Sequence, residues 1–168
     1  SAITNVTEID GTWTAESAPE SNAWSSVTYG ETSTDTPGIP AGTGLFVAVA
    51  WDGTNRVMYS TDGISWTRAS ASATSGWHSV TYANGKFVAV AEHGTNRVMY
   101  STDGISWKNG TGEPSSKWRS VTYGNGKFVA VASYELHITN RVMYSTDGIS
   151  WTAATEAESN DWFGVTYA

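Results

Sequence analysis

Thirteen consecutive residues, Thr-Asn-Arg-Val-Met-Tyr-Ser-Thr-Asp-Gly-Ile-Ser-Trp, occur three times without a change, at Thr54–Trp66, Thr95–Trp107 and Thr139–Trp151. Self-similarity at a period of roughly 20–50 residues marks an array of supersecondary units, each unable to bury its apolar faces alone. The fold has to be read from the unit. A tryptophan opens each one, and Trp24, Trp77, Trp118 and Trp162 are 53, 41 and 44 residues apart.

Each unit offers four short segments, A to D. Trp118-Arg-Ser-Val-Thr-Tyr123 alternates with a period of two, as a strand does. Gly-Asn-Gly follows and predicts a hairpin, because glycine takes positive φ freely. Lys127-Phe-Val-Ala-Val-Ala132 is a continuous apolar run, the pattern of a strand covered on both faces. Arg141–Tyr144 is the third strand, and Ser145-Thr-Asp-Gly148 turns into the fourth, Ile149–Thr152. Four short antiparallel strands per 41–44 residues is the spacing of a β-propeller blade. A β-solenoid needs shorter rungs and parallel strands, and the β-branched and aromatic content excludes a helical repeat.

The expected class is therefore all-β, a propeller of four-stranded antiparallel blades in a single domain spanning residues 1–168. A degraded C–D hairpin is expected at 3–15, blades at 24–67, 77–108 and 118–152, and a lone A strand at 162–167. Those termini supply A, C and D strands but no apolar B strand. Three readings stay open: about four blades with one short, blades shared between chains through the terminal strands in a homo-oligomer, or part of a larger ring.

The turn Ser-Thr-Asp-Gly-Ile-Ser-Trp, at Ser60–Trp66, Ser101–Trp107 and Ser145–Trp151, resembles the Asp-box of the bacterial neuraminidase repeat, with the glycine directly after the aspartate. The whole unit also resembles bacterial and phage propeller blades of unassigned function. The resemblance implies a propeller fold and suggests an arginine triad of sialidase type. No asymmetric set of arginines, tyrosine and carboxylates accompanies Arg56, Arg97 and Arg141, so catalysis is not expected. A structural role is expected for Asp62, Asp103 and Asp147, which can accept backbone N–H bonds in the turn, and for Trp66, Trp107 and Trp151 between blades. Calcium there would need more oxygen ligands than the turn supplies.

Composition narrows the partners. A formal charge of −7 opposes the phosphate binding on which nucleic-acid affinity rests. No cysteine is present, so no thiolate chemistry, and His78, His93 and His137 lack metal-ligand spacing. No cofactor is expected. No apolar run reaches membrane-spanning length, and the opening Ser-Ala-Ile-Thr-Asn has no signal-peptide character. The Trp, Tyr, Thr, Ser and Gly content suits an extracellular or virion surface.

In a four-stranded meander the A–B and C–D hairpins share one face, and the B–C and D–A connections share the other. The first set is nearly uniform, apart from the insertion Glu31–Gly44; the second differs in every blade. A face that diversifies while the strands stay constant is the face expected to meet a partner. It carries Trp51, Asp52, Glu92, His93, Tyr134 and Glu135, with the opening Trp77 and Trp118 nearby. Aromatic planes beside carboxylates grip neutral sugars through ring faces and hydroxyls. Arg56, Arg97 and Arg141 enter strand C from this side, either to clamp a carboxylate or as repeated structural pairings. The expected function is a non-catalytic, lectin-like propeller binding neutral glycans at several near-equivalent sites, so that multivalency raises avidity. The alternatives are a structural or adhesive module docking other proteins, as in a phage particle or surface fibre, and a glycoside hydrolase remnant.

Overall fold

The computed structural model describes residues 15–133, 140–155 and 160–168. It holds three four-stranded antiparallel sheets in strand order A-B-C-D, and no helix among the described residues. The first blade is β1 (Trp24–Glu31), β2 (Gly44–Ala50), β3 (Val57–Ser60) and β4 (Thr67–Ala69). The second is β5 (Trp77–Ala83), β6 (Lys86–Ala91), β7 (Val98–Ser101) and β8 (Lys108–Asn109). The third is β9 (Lys117–Gly124), β10 (Lys127–Ser133), β11 (Val142–Ser145) and β12 (Thr152–Ala153). The expected 3–15 hairpin lies outside the described residues but for Ala15, as do Tyr134, Glu135 and His137.

The B strands are the best-buried segments, as their unbroken apolar runs require. Val88, Ala89, Val90 and Ala91 lose all exposure because one blade packs on each side of β6. Two cores result. One lies between blades one and two, where Leu45, Val47, Val49 and Val57 meet Trp77, Val80, Phe87, Met99 and Trp107. The other lies between blades two and three, where Val88, Val90 and Val98 meet Trp118, Val121, Phe128, Met143 and Trp151. The A–B hairpins turn through Asn84 and Asn125 at φ of 52° and 47°, each followed by glycine in the same left-handed region. That pair of positive φ values matches the right-handed twist of the flanking strands.

A register shift follows Trp24 and Trp77 in their ladders, and another lies where β9 passes Trp118. This bulge re-aims the next serine toward the neighbouring blade. Ser26 Oγ accepts the Val80 N–H at 3.1 Å, Ser79 Oγ that of Val121 at 3.2 Å, and Ser120 Oγ that of Val165 at 3.2 Å. The last of these stitches puts 162–167 at the A-strand position of a following blade. The segment forms no strand, however, correcting the expected lone A strand: among the described residues no B strand lies beside it to complete a ladder.

The two faces separate as the meander requires. Ser33 N–H, in the A–B insertion of blade one, donates to Thr102 O in the C–D turn of blade two at 2.7 Å. At the opposite end, Trp51, Glu92 and the entry to β9 converge.

Candidate binding rim

The Ser-Thr-Asp-Gly turns are built alike in every blade. In the first, Ser60 Oγ donates to Asp62 Oδ1 at 2.8 Å and accepts from Gly63 N at 2.8 Å. Asp62 Oδ1 accepts the N–H groups of Ile64 at 2.8 Å and Ser65 at 2.7 Å. The Ser65 and Ile64 amides, with the Ser60 hydroxyl, draw the Asp62 carboxyl down to about 2 from its usual 3.8. For Asp103 and Asp147 burial opposes ionisation, yet the same amides and hydroxyl outweigh it and both carboxyls lie below their usual value. Each carboxylate is thus occupied by its own turn. Trp66 and Trp107 donate from Nε1 to Gly63 O and Gly104 O, each at 3.2 Å, fixing the indole over its glycine.

The variable face brings some of the expected residues together and separates others. Trp51, in the B–C connection of blade one, is 42% exposed. Its Nε1 donates to Glu92 Oε2 at 3.2 Å, and its ring meets the edge of His93 at a centroid distance of 5.2 Å and 75°. Glu92 Oε1 in turn pairs with Arg119 Nη2 at 2.9 Å. Arg119 also donates from Nε to Ser133 Oγ at 3.0 Å and lies 5.8 Å from the Phe163 ring centroid. Its Nη1 is 3.1 Å from His78 Nε2. A guanidinium only donates, so Nε2 accepts and the His78 proton sits on Nδ1, which faces Arg119 O at 3.1 Å. One connected cluster therefore crosses all three blades.

Trp77 and Trp118 do not join it. Both are fully buried, with Nε1 donating to Ala73 O and Pro114 O four residues back. An indole sealed between blades offers no ring face to a ligand, so of the two readings open for a tryptophan that recurs in each unit, ligand contact and blade packing, these two take packing. The three arginines are also engaged within the fold. Arg56 Nη1 donates to Ser75 O at 2.8 Å, Arg97 Nη1 to Ser116 O at 2.8 Å, and Arg141 Nη1 to Asn160 O at 3.2 Å. Each staples a B–C connection to the entry of the next blade, which removes the carboxylate clamp. Asp52 remains at the rim beside Arg56, 3.3 Å from its Nη2 and 67% exposed. Because Trp51, Glu92 and Ser133 occupy equivalent positions with different chemistry, the rim is one composite surface and not a set of near-equivalent sites.

Arg119 and Glu20 stand on the variable face by sequence, but their partners were not foreseen. Arg119 links four partners, yet it stands where blades one and two have Ser25 and His78, so the repeat gave no signal for it. Glu20 accepts from the Asn55 amide at 3.0 Å and from its side chain, and Arg68 lies 3.7 Å away. The Asn55 side chain and backbone, with Asn22, hold the Glu20 carboxyl below its usual value.

No family model matches the chain, and no curated protein matches it. Solved structures do match. YCF48 from Cyanidioschyzon merolae, a β-propeller protein, is similar with a TM-score of 0.53 at 16% identity, over 82% of this chain. The chain is part of a β-propeller in fold. It spans 38% of the length of that neighbour, and at this identity the likeness concerns architecture alone. Among the described residues no helix is long and apolar enough to cross a membrane, and no group of three His, Asp or Glu side chains converges as metal ligands would.

Proposed function

We propose that the chain is a non-catalytic recognition module that binds a neutral, hydroxyl-rich glycan at the rim formed by Trp51, Asp52 and His93. The observation that carries the reading is the posture of Trp51: exposed on the face where the connections differ, yet held by Glu92 and His93. A ring positioned before the ligand arrives loses little freedom on binding. The acidic surroundings disfavour polyanionic sugars. A single composite site implies weak affinity, about millimolar, or roughly 4 kcal/mol.

The test is a glycan array followed by titration calorimetry with the full chain. Binding of a neutral oligosaccharide that Trp51→Ala abolishes and Asp52→Asn weakens supports the reading. No binding on the array, or binding indifferent to Trp51, sinks it. A second reading, protein docking, is favoured by a different observation: the outward side of blade one is an apolar sheet face with a shallow hollow of about 350 Å³ between Trp24 and Trp66.

A further inference from the structure

The near-identity of the blades makes the outward side of blade one legible. Its lining residues Trp24, Val27, Tyr29, Ala48, Met58 and Trp66 correspond one for one to Trp77, Val80, Tyr82, Ala89, Met99 and Trp107 of blade two. In blade two this set packs against the back of blade one, and Trp77, Ala89 and Met99 are fully buried. In blade one Val27 is 58% and Tyr29 55% exposed. Val27 and Tyr29 thus lack the cover that Val80 and Tyr82 have one blade later, while the Ala48 and Met58 positions are buried in both.

The cover itself is also present once more. The back of blade two, Val88, Val90 and Val98, buries the front of blade three. Blade three repeats that back as Val129, Val131 and Val142, each at the same ladder position. There Val131 is buried but Val129 and Val142 are only half-buried, and Phe163 and Tyr167, at the adjoining A-strand position, are exposed. Front and back are complementary within the molecule, twice over. We propose that the front of blade one docks on the back of blade three of a second copy, head to tail, its β1 taking the place held by 162–167. Such a contact is heterologous, so it closes into a ring or continues as a fibre according to the rotation per copy.

The experiment is sedimentation velocity of the full chain over a concentration series, with near-UV circular dichroism as the check of folding. Val27→Glu alters an exposed front residue, and Val129→Glu the back. Assembly of the unaltered chain is expected, and either variant should raise its dissociation constant at least about tenfold by placing a charge in an apolar contact. Mixing the two variants should restore a dimer and nothing larger, since one intact front meets one intact back. Should Val129→Glu fail to fold, Val142→Glu replaces it, and Tyr29→Glu replaces Val27→Glu. A chain that stays monomeric throughout overturns the proposal. So does an assembly that Val27→Glu leaves unchanged.

Discussion

Asp62, Asp103 and Asp147 sit in identical heptapeptides, so any difference in what they contribute to stability must come from their surroundings. Asp103 is the one that a neighbour covers. The Glu31–Gly44 insertion folds over its turn, and Thr36 Oγ1 donates to Asp103 Oδ2 at 2.8 Å. Within the turn, Asp103 Oδ1 accepts from Ile105 N at 2.8 Å, Ser106 N at 2.7 Å and Ser101 Oγ at 2.8 Å. Asp103→Ala deletes the acceptor for all four donors. Ser106 is exposed and recovers water, but Ile105 and Thr36 are half-covered. Counting the two half-covered donors, the Ile105 N–H and the Thr36 hydroxyl, at about 1.5 kcal/mol each for a bond to a charged acceptor gives a loss of about 3 kcal/mol. For a domain of this size that corresponds to a melting point lower by roughly 10 °C. The same substitution at Asp62, which is exposed, should cost clearly less, with Asp147 also below Asp103. Urea unfolding of the three single variants, followed by tryptophan fluorescence, measures the order. Equal losses at Asp62 and Asp103 would refute the claim that the insertion's cover sets the cost.

Two further outcomes are expected from the same geometry. The three turn carboxyls are held below 3.8, that of Asp62 at about 2, so the folded state prefers them ionised. Their contribution is complete above about pH 4 and disappears as pH falls toward 2; the combined Asp62→Asn, Asp103→Asn, Asp147→Asn chain should lose less stability over that interval, read from urea midpoints at pH 5 and pH 2.5. Trp77→Ala should cost about 3–5 kcal/mol, since the indole is fully buried, whereas Trp24→Ala at the equivalent position should cost about half as much in a dilute, monomeric sample. Equal costs for the pair would mean that the front of blade one is already covered.

The strands were legible because each carries its own signal. The unbroken Lys-Phe-Val-Ala-Val-Ala runs announced burial on both sides, and Asn-Gly pairs announced the hairpins; β6, β10 and the turns at Asn84 and Asn125 follow directly. The division into a uniform and a variable face also followed from the meander alone. What the sequence could not display is the environment that one copy lends another. Nothing in three identical turns distinguishes Asp103, because its cover comes from Thr36, 67 residues away. Trp77 and Trp118, near the rim but recurring in each unit, admitted both ligand contact and packing, and blade stacking takes their whole surface. The repeated arginines left two readings open, a carboxylate clamp and a structural pairing; their donors go to carbonyls of the following blade, and the sequence does not say which ones.

The same contrast locates where specificity can reside. Within the sheets one inter-blade contact is a strict repeat: Ser26 with Val80, Ser79 with Val121, and Ser120 with Val165 are one interaction written three times. Inserting another copy of blade two would preserve them all. The rim behaves differently. Arg119 takes Glu92 and His78 from blade two as partners, and Glu92 takes Trp51 from blade one. Each blade therefore completes its neighbour's surface with a side chain the neighbour lacks, and the cluster exists in one order of blades alone. An inserted copy would place Glu92 beside His78 in place of Arg119, leaving a half-buried carboxylate without its guanidinium. A change of blade number would preserve the repeated serine contacts, while the rim pairings hold in one order of blades alone.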